Sequence, residues 1–252
     1  MKTCINSIAE EFDSISLEEM DSVSLLKRTD TKFIIPENKL EEILSAVQSE
    51  YKLLEIGGRR VMNYNSLYFD TPEKKFYLDH HNGKVRRTKI RIREYVDYKK
   101  FFFEIKMKDG KGNTNKSRLT IPHFELELPK LLQQFIIETT GVDYDLRPVL
   151  WNKFKRMTLV NIEHKERATI DLDLAFSHNG IGERIPNLAI IELKQERYDR
   201  SSALVKALKK HSINPLGFSK YCTGMTKLYA DLKYNVFKPK LLRLNKLTKI
   251  TA

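Results

Sequence analysis

Several short runs of this chain place a charge at every second position, which is the period of a strand and not of a helix. Arg87, Lys89, Arg91 and Arg93 share one parity, with Ile90 and Ile92 on the other. Glu104, Lys106 and Lys108 alternate in the same way with Phe103, Ile105 and Met107. The turn signal Asn82-Gly83 precedes the first run and Asp97-Tyr98 separates the two, so strands over 85–96 and 99–108 form a hairpin. Patterning predicts further strands over 25–35, 61–70, 116–121, 154–162, 168–176 and 188–194. Gly57-Gly58, Asp109-Gly110-Lys111-Gly112 and His178-Asn179-Gly180 fall between them as breaks.

Helices fill the remaining intervals. Phe12, Ile15, Leu17 and Met20 suit a short N-terminal helix, and Pro36 opens one whose apolar stripe is Leu40, Ile43, Leu44 and Val47. Others are predicted after Thr71-Pro72 and over 128–139, 201–209 and 219–228. Most strands are linked as hairpins, with helices between them in no strict alternation. The expected fold is therefore α+β, a closed antiparallel β-barrel with peripheral helices, in preference to a doubly wound sheet. One domain over 24–230 is expected, with a helical extension at 1–23 and a basic segment at 231–252 that lies on the barrel or extends as an arm.

The charged rows carry the chemistry. Arg28-Thr29-Asp30-Thr31-Lys32, the run from Lys165 to Asp173, and Glu192-Leu193-Lys194 repeat the pattern. Any one strand of this kind also fits a sheet whose polar side faces water. Five such runs of mixed sign point instead to a shared wet lining around an anion, because a dry core would not hold them. Arg167, Thr169, Asp171 and Asp173 share a parity, which sets a cation beside two carboxylates suited to a metal; a structural ion-pair ladder is the alternative for any single carboxylate. Arg156 and Lys155 have opposite parity, and either could turn inward.

Among the 252 residues, 45 Lys and Arg against 33 Asp and Glu give a net charge of +12, which favours polyanionic partners. Nucleic acid is set aside, because the cations alternate within strands among carboxylates and no reading helix or stacking sheet motif is present. Cys4 and Cys222 do not form a disulfide framework or zinc site, and the six His form no metal motif. With no apolar run of about 18 residues and no signal-peptide pattern, a cytoplasmic protein is expected.

Seven segments in order sharpen this reading: Arg28-Thr29-Asp30-Thr31-Lys32-Phe33, Tyr68-Phe69-Asp70-Thr71, Lys89-Ile90-Arg91-Ile92-Arg93-Glu94-Tyr95, Phe103-Glu104-Ile105-Lys106, Glu166-Arg167-Ala168-Thr169-Ile170-Asp171, Ile191-Glu192-Leu193-Lys194 and Phe218-Ser219-Lys220-Tyr221. Together they resemble the catalytic domain of the vacuolar transporter chaperone family, within the triphosphate tunnel metalloenzymes, over residues 24–230. The resemblance implies a tunnel that extends inorganic polyphosphate from ATP with Mn²⁺ or Mg²⁺. It implies phosphate-gripping roles for Lys32, Arg91, Arg93, Lys106, Arg167 and Lys220, and a metal-binding role for Glu192 beside Asp171. Arg118, Arg156 and Lys194 complete the lining, and Tyr221 is expected to pack and not to act as a nucleophile.

Where the wider superfamily opens on Glu-x-Glu-x-Lys, this chain has Arg28-Thr29-Asp30-Thr31-Lys32. A cation in place of the first carboxylate leans toward gripping a chain. The competing readings are a metal-dependent triphosphate hydrolase and a binding domain for polyphosphate or inositol polyphosphate. Lys206, Lys209, Lys210, Lys233, Lys238 and Lys240 on an outer groove would favour the binding domain or a chain-feeding surface. The basic C-terminal segment suits a membrane-associated partner.

Overall fold

The computed structural model describes residues 5–22, 28–111 and 113–249. Cys4, Gly112, the first residues of the strand predicted from Leu25, and the end of the C-terminal segment lie outside the described residues. The N-terminal part is α1 (Ile5–Glu10), β1 (Ser14–Ile15) and α2 (Leu17–Ser22), followed by β2 (Thr29–Pro36), α3 (Leu40–Ser45) and β3 (Lys52–Leu54). Next come β4 (Met62–Asp70), α4 (Lys75–His81), β5 (Arg87–Tyr95), β6 (Lys100–Lys108), β7 (Thr114–Ile121) and α5 (Lys130–Thr140). The second half holds β8 (Arg147–Asn161), β9 (Glu166–His178), β10 (Ile181–Ile185), β11 (Leu188–Gln195), α6 (Ala203–Lys210), α7 (Lys220–Leu228) and α8 (Lys238–Lys249).

The strands form one 11-stranded sheet whose main path runs β2-β11-β9-β8-β4-β5-β6-β7, antiparallel throughout, with β10 added on β9 and the parallel pair β1–β3 on β8. Apolar parity on one face meets the helices. Phe33, Ile35, Ile170, Leu172, Ile191 and Leu193 pack under α1, α3 and α6. Leu67, Phe69, Ile90, Ile92, Phe103 and Ile105 pack with Phe76 of α4 and with Leu132 and Ile136 of α5. Each of these fully buried side chains contributes about 1.5–3 kcal/mol of transfer free energy.

The opposite face is concave. Strands lie roughly 4.8 Å apart, so the five steps from β2 to β5 would span about 24 Å on a flat sheet. Yet Lys32 of β2 donates to the Phe218 carbonyl at 3.2 Å while Lys89 of β5 donates to the Ser219 hydroxyl at 3.2 Å, two adjacent residues. The sheet therefore curls around the start of α7. That helix seals one part of the hollow with Tyr221, Cys222 and Met225, and Leu244 of α8 joins the same cluster.

The expected closed barrel is not formed. Among the described residues β2 pairs only with β11 and β7 only with β6, so the ladder keeps two edges. β7 is largely exposed and carries Lys116 and Arg118, charges of the kind that keep an edge strand unpaired. The N-terminal helix also differs: Phe12 sits in a turn, and Ile15 extends alongside Leu54. β8 begins seven residues before the strand expected from Phe154, and β3 and β10 were not anticipated. β3 has three residues, and β10 (IGERI) exposes all but its last, so neither alternates over enough positions to be read.

Candidate functional site

Directly opposed residues of an antiparallel pair share a face, and the observed register carries the charged rows into one concavity. Lys32 opposes Glu192, which opposes Thr169; Asp30 opposes Lys194, which opposes Arg167. Asp171 opposes Arg156. Across the second half of the sheet, Tyr68, Arg91, Glu104 and Arg118 form one row, and Lys89, Lys106 and Lys116 form another. Arg93 opposes Ser66 and Phe102.

Two carboxylates act as clamps. Asp171 is 1% exposed and accepts a forked pair from Arg156, at 2.5 Å from Nε and 2.8 Å from Nη2, together with a bond from Lys220. Burial opposes its charge, but Arg156 and Lys220 outweigh burial and hold the carboxyl far below the usual range. Glu104, also 1% exposed, accepts from Arg91 Nε at 2.7 Å, has Arg91 Nη2 at 2.5 Å as an ion pair, and pairs with Lys116. Here burial is overcome by Arg91, Arg93 and Lys116, and the pKa again falls well below the ordinary value.

Glu192 differs. Its contacts are longer, 3.5 Å to Lys32 and 3.4 Å to Lys194, and its side chain is 20% exposed. Lys194 and Lys32 lead the charges that overcome burial and keep it ionised. Thr169, its opposite residue on β9, buries a hydroxyl oxygen with no hydrogen-bond partner among the described residues.

Several cations of this face have no ion pair among the described residues, and two of them lie beside the clamps. Among the described residues Lys106 makes no hydrogen bond or ion pair, and burial followed by the charges of Arg91 and Arg93 pushes its pKa well below the lysine range. Arg93, 7% exposed, donates only to Ser66 Oγ at 3.3 Å, and its guanidinium lies 5.6 Å from the ring centres of both Tyr64 and Phe154. Those two rings are stacked 5.2 Å apart and also support Arg156 and Lys220, whose Nζ is 4.6 Å from the Phe154 centre. Burial lowers Lys220 to about 8, with Asp171 opposing the shift.

The predicted site residues of the strands therefore lie on the concave face, though not all are equally enclosed, and Lys220 reaches it from α7. Arg167 is half-buried near the Asp30 side, and Arg118 lies at the exposed β7 edge, 5.0 Å over the Phe102 ring. The expected line from Arg167 to Asp173 breaks at its end. Asp173 takes a left-handed conformation (φ 52°) where the β8–β9 register shifts, and it pairs with Lys155 at 2.9 Å. Both of these partners are exposed, and Arg156 is the one that turns inward.

Sequence reasoning missed the clamp role of Glu104 and the Tyr64–Phe154 platform, although parity could have found both. Tyr221 packs as expected, its hydroxyl bonded to Asp70, which also caps the backbone amides of Phe76 and Tyr77. A surface hollow of about 1100 Å³ lies away from the clamps, bordered by Lys74, Trp151, Tyr229 and residues of both charge signs. Among the described residues there is no cluster of three or more His, Cys, Asp or Glu, and no helix is long and apolar enough to cross a membrane.

No curated protein matches the chain in sequence. Solved structures resemble it at low identity, among them these three. The Hippeastrum protein HpAC1, described as having a dominant triphosphatase activity, gives a TM-score of 0.48 at 16% identity, over 81% of this chain and 97% of its own. A conserved hypothetical protein from Pyrococcus furiosus gives 0.41 at 14% identity, over 76% and 98%. The PH1012 protein from Pyrococcus horikoshii OT3 gives 0.39 at 9% identity, over 76% and 96%. At these values the likeness carries no argument about chemistry. A match to the VTC domain family runs from residue 27 to residue 229, most of the chain, and the protein belongs to that family.

Proposed function

We propose that this chain transfers the terminal phosphoryl group of ATP to the end of an inorganic polyphosphate chain and releases ADP. The observation that carries the reading is a pair of enclosed cations, Arg93 and Lys106, that form no direct ion pair among the described residues and lie beside clamps that already hold Arg91, Arg156 and Lys220. Burying a cation without a counter-charge costs several kcal/mol, so a face built in this way calls for an anion. Membership of the VTC domain family supports an enzyme acting on phosphates.

In the reaction an oxygen of the chain-terminal phosphate attacks the γ-phosphorus, and the bond from that phosphorus to the β–γ bridging oxygen breaks. No side-chain nucleophile is needed, because the acceptor oxygen is already anionic. Arg91 and Arg93 present rigid forks able to hold two oxygens each, while Lys106 and Lys220 supply point charges as negative charge spreads over the transferred group. Lys32, Lys194, Arg156 and Arg167 grip the chain along the β2 side, and Arg118 adds a charge at the exposed rim.

The donor set near Glu192 fits a hard divalent ion such as Mn²⁺ or Mg²⁺. Its carboxylate is the least tightly held on the face, and the orphaned Thr169 hydroxyl lies opposite. When bound, such an ion neutralises phosphate oxygens. Asp171 fits this role less well, since both of its oxygens are taken by cations.

Incubation with ATP and Mn²⁺ or Mg²⁺, following ADP, orthophosphate and chain length together, tests the reading. ADP matched by lengthening chains, and lost in Arg91→Ala and Glu192→Ala, is the expected result. Orthophosphate without chains would assign a hydrolase, and binding without turnover would assign a polyphosphate-binding domain.

A further inference from the structure

The β2 end of the concave face opens into a second, smaller cavity of about 220 Å³ that the chemistry above does not use. It lies between the sheet, the start of α7 and the inner face of α8. Lys32, Lys89, Lys240 and His80 border it, and no carboxylate does. This separates it from the main face, where Glu104, Asp171 and Glu192 answer the cations.

Each wall contributes for its own reason. Lys32 belongs to both spaces, since its ammonium contacts Glu192 on one side and the Phe218 carbonyl on the other. Lys89 has only the Ser219 hydroxyl, at 3.2 Å, and burial leads the causes that lower its pKa, with Lys32 and Arg91 adding to it. Lys240 reaches in from α8 past Gly217, where a Cβ would sit 3.5 Å from its Nζ. Phe237 and Leu244, both buried, fix α8 over the opening.

His80 reads the potential of this space. Its imidazole is stacked against Phe237, and burial together with Lys89, Arg87, Lys240 and Lys32 drives its pKa down to about 3. Three ammonium groups and a neutral imidazole with no acid among them form a pocket for a small, highly charged anion. Its volume is below the usual 300 Å³ or so of a drug-sized site, too small for a whole nucleotide.

We infer that this cavity is a second phosphate subsite, holding one or two phosphoryl groups of the polyphosphate chain beyond Lys32 while the reacting end stays on the Arg91–Arg93 face. The inference rests on the polyphosphate reading of that face. A second grip on the same chain raises its effective affinity without a new reaction step. Lys240 and Lys89 then govern how long a chain stays bound, not how fast a phosphoryl group moves.

The test uses the full chain with pyrophosphate as probe at constant ionic strength, in wild type, Arg91→Ala, Lys240→Ala and the double variant. Lys240 is exposed on its helix, so its replacement leaves the fold intact. Arg91→Ala should retain one pyrophosphate site, occupancy of which moves the His80 imidazole resonance and raises its titration midpoint. Adding Lys240→Ala should weaken that site about tenfold, the value of one charge-assisted hydrogen bond. In the ATP assay Lys240→Ala should shorten the product chains.

Pyrophosphate binding that disappears entirely in Arg91→Ala, or that leaves His80 unmoved, overturns the subsite and leaves the main face standing. A subsite that binds pyrophosphate while Lys240→Ala leaves chain length unchanged overturns the chain assignment and makes it a site for free phosphate. Binding untouched by Arg91→Ala and abolished by Lys240→Ala would overturn the reading of the main face instead.

Discussion

Asp171→Asn is the most incisive single change, because the clamp and metal roles of this carboxylate predict different outcomes. The substitution keeps the shape and removes the charge that Arg156 and Lys220 share. Their side chains are only 14% and 13% exposed, so water does not replace it. Removing one partner from a buried ion pair costs about 3–5 kcal/mol, and here two cations lose their carboxylate together. For a chain of this length that is a fall of roughly 6–20 °C in melting temperature. Asp173→Asn is the internal control. Its pair with Lys155 is 45% and 41% exposed, Asn tolerates the left-handed backbone there, and the expected loss is at most about 1 kcal/mol.

The assay is thermal or urea unfolding with and without tripolyphosphate. The polyanion can answer Arg156 and Lys220 in place of Asp171, so at one fixed concentration the variant should gain more stability than wild type, by about 1.4 kcal/mol for each tenfold tighter binding. Asp171 has a depressed folded pKa, so its contribution is complete above its unfolded value near 3.8 and drains away as pH falls through the folded one. The variant should lose that part of the acid sensitivity. A loss no larger than that of Asp173→Asn, or equal gains from tripolyphosphate in variant and wild type, would refute the clamp.

Four further outcomes are expected. The free enzyme's kcat/KM for ATP should fall above about pH 8 as Lys220 loses its proton, and Lys220→Arg should move that limb upward; an unmoved limb would assign it to another group. For stability the sign is opposite: the lowered pKa of Lys220 makes the fold gain stability as pH rises from about 8 to the unfolded value of 10.5, which denaturant titration across that range reads. Glu192→Gln should weaken Mn²⁺ binding in the presence of tripolyphosphate by tenfold or more, on the order of one charge-assisted ligand, while Asp171→Asn leaves it within a few-fold, as measured by calorimetry. Gly224→Ala should cost about 1–3 kcal/mol in urea unfolding, because its Cβ would meet Phe176 Cδ1 at 2.6 Å and Leu150 Cδ2 at 2.7 Å and force α7 off the sheet.

Strand parity made much of this face legible. Alternation assigns Arg91 and Arg93 to one side of β5 and Ile90 and Ile92 to the other, and the register bears this out. Parity also carries two kinds of blindness. It runs through a bulge without noticing, which is why Asp173 was expected beside Asp171 when one left-handed residue turns it outward to Lys155. It also says nothing of which strands meet across the sheet, so the ordered segments suggested closure while the β2 and β7 edges stay apart. The cavity under α8 is less legible still. It joins Lys32, His80, Lys89 and Lys240 from two strands and two helices, and no local pattern connects them.

The division between clamped and unclamped cations follows from a conflict between folding and binding. A face able to hold a polyanion needs many enclosed cations, and their repulsion opposes the fold whenever the ligand is absent. Placing Glu104 and Asp171 under 2% exposure answers the most crowded part, since each engages two cations at once. Answering all of them would leave nothing for a phosphate chain to neutralise. Arg93 rests instead on aromatic rings, and burial with the charges of Arg91 and Arg93 lowers the proton affinity of Lys106, so both wait in a form that an arriving anion stabilises. On this argument a carboxylate introduced beside Arg93, as in Ser66→Asp directly opposite it, should raise the melting temperature and weaken tripolyphosphate binding together; a gain in one without loss in the other would break the link between them.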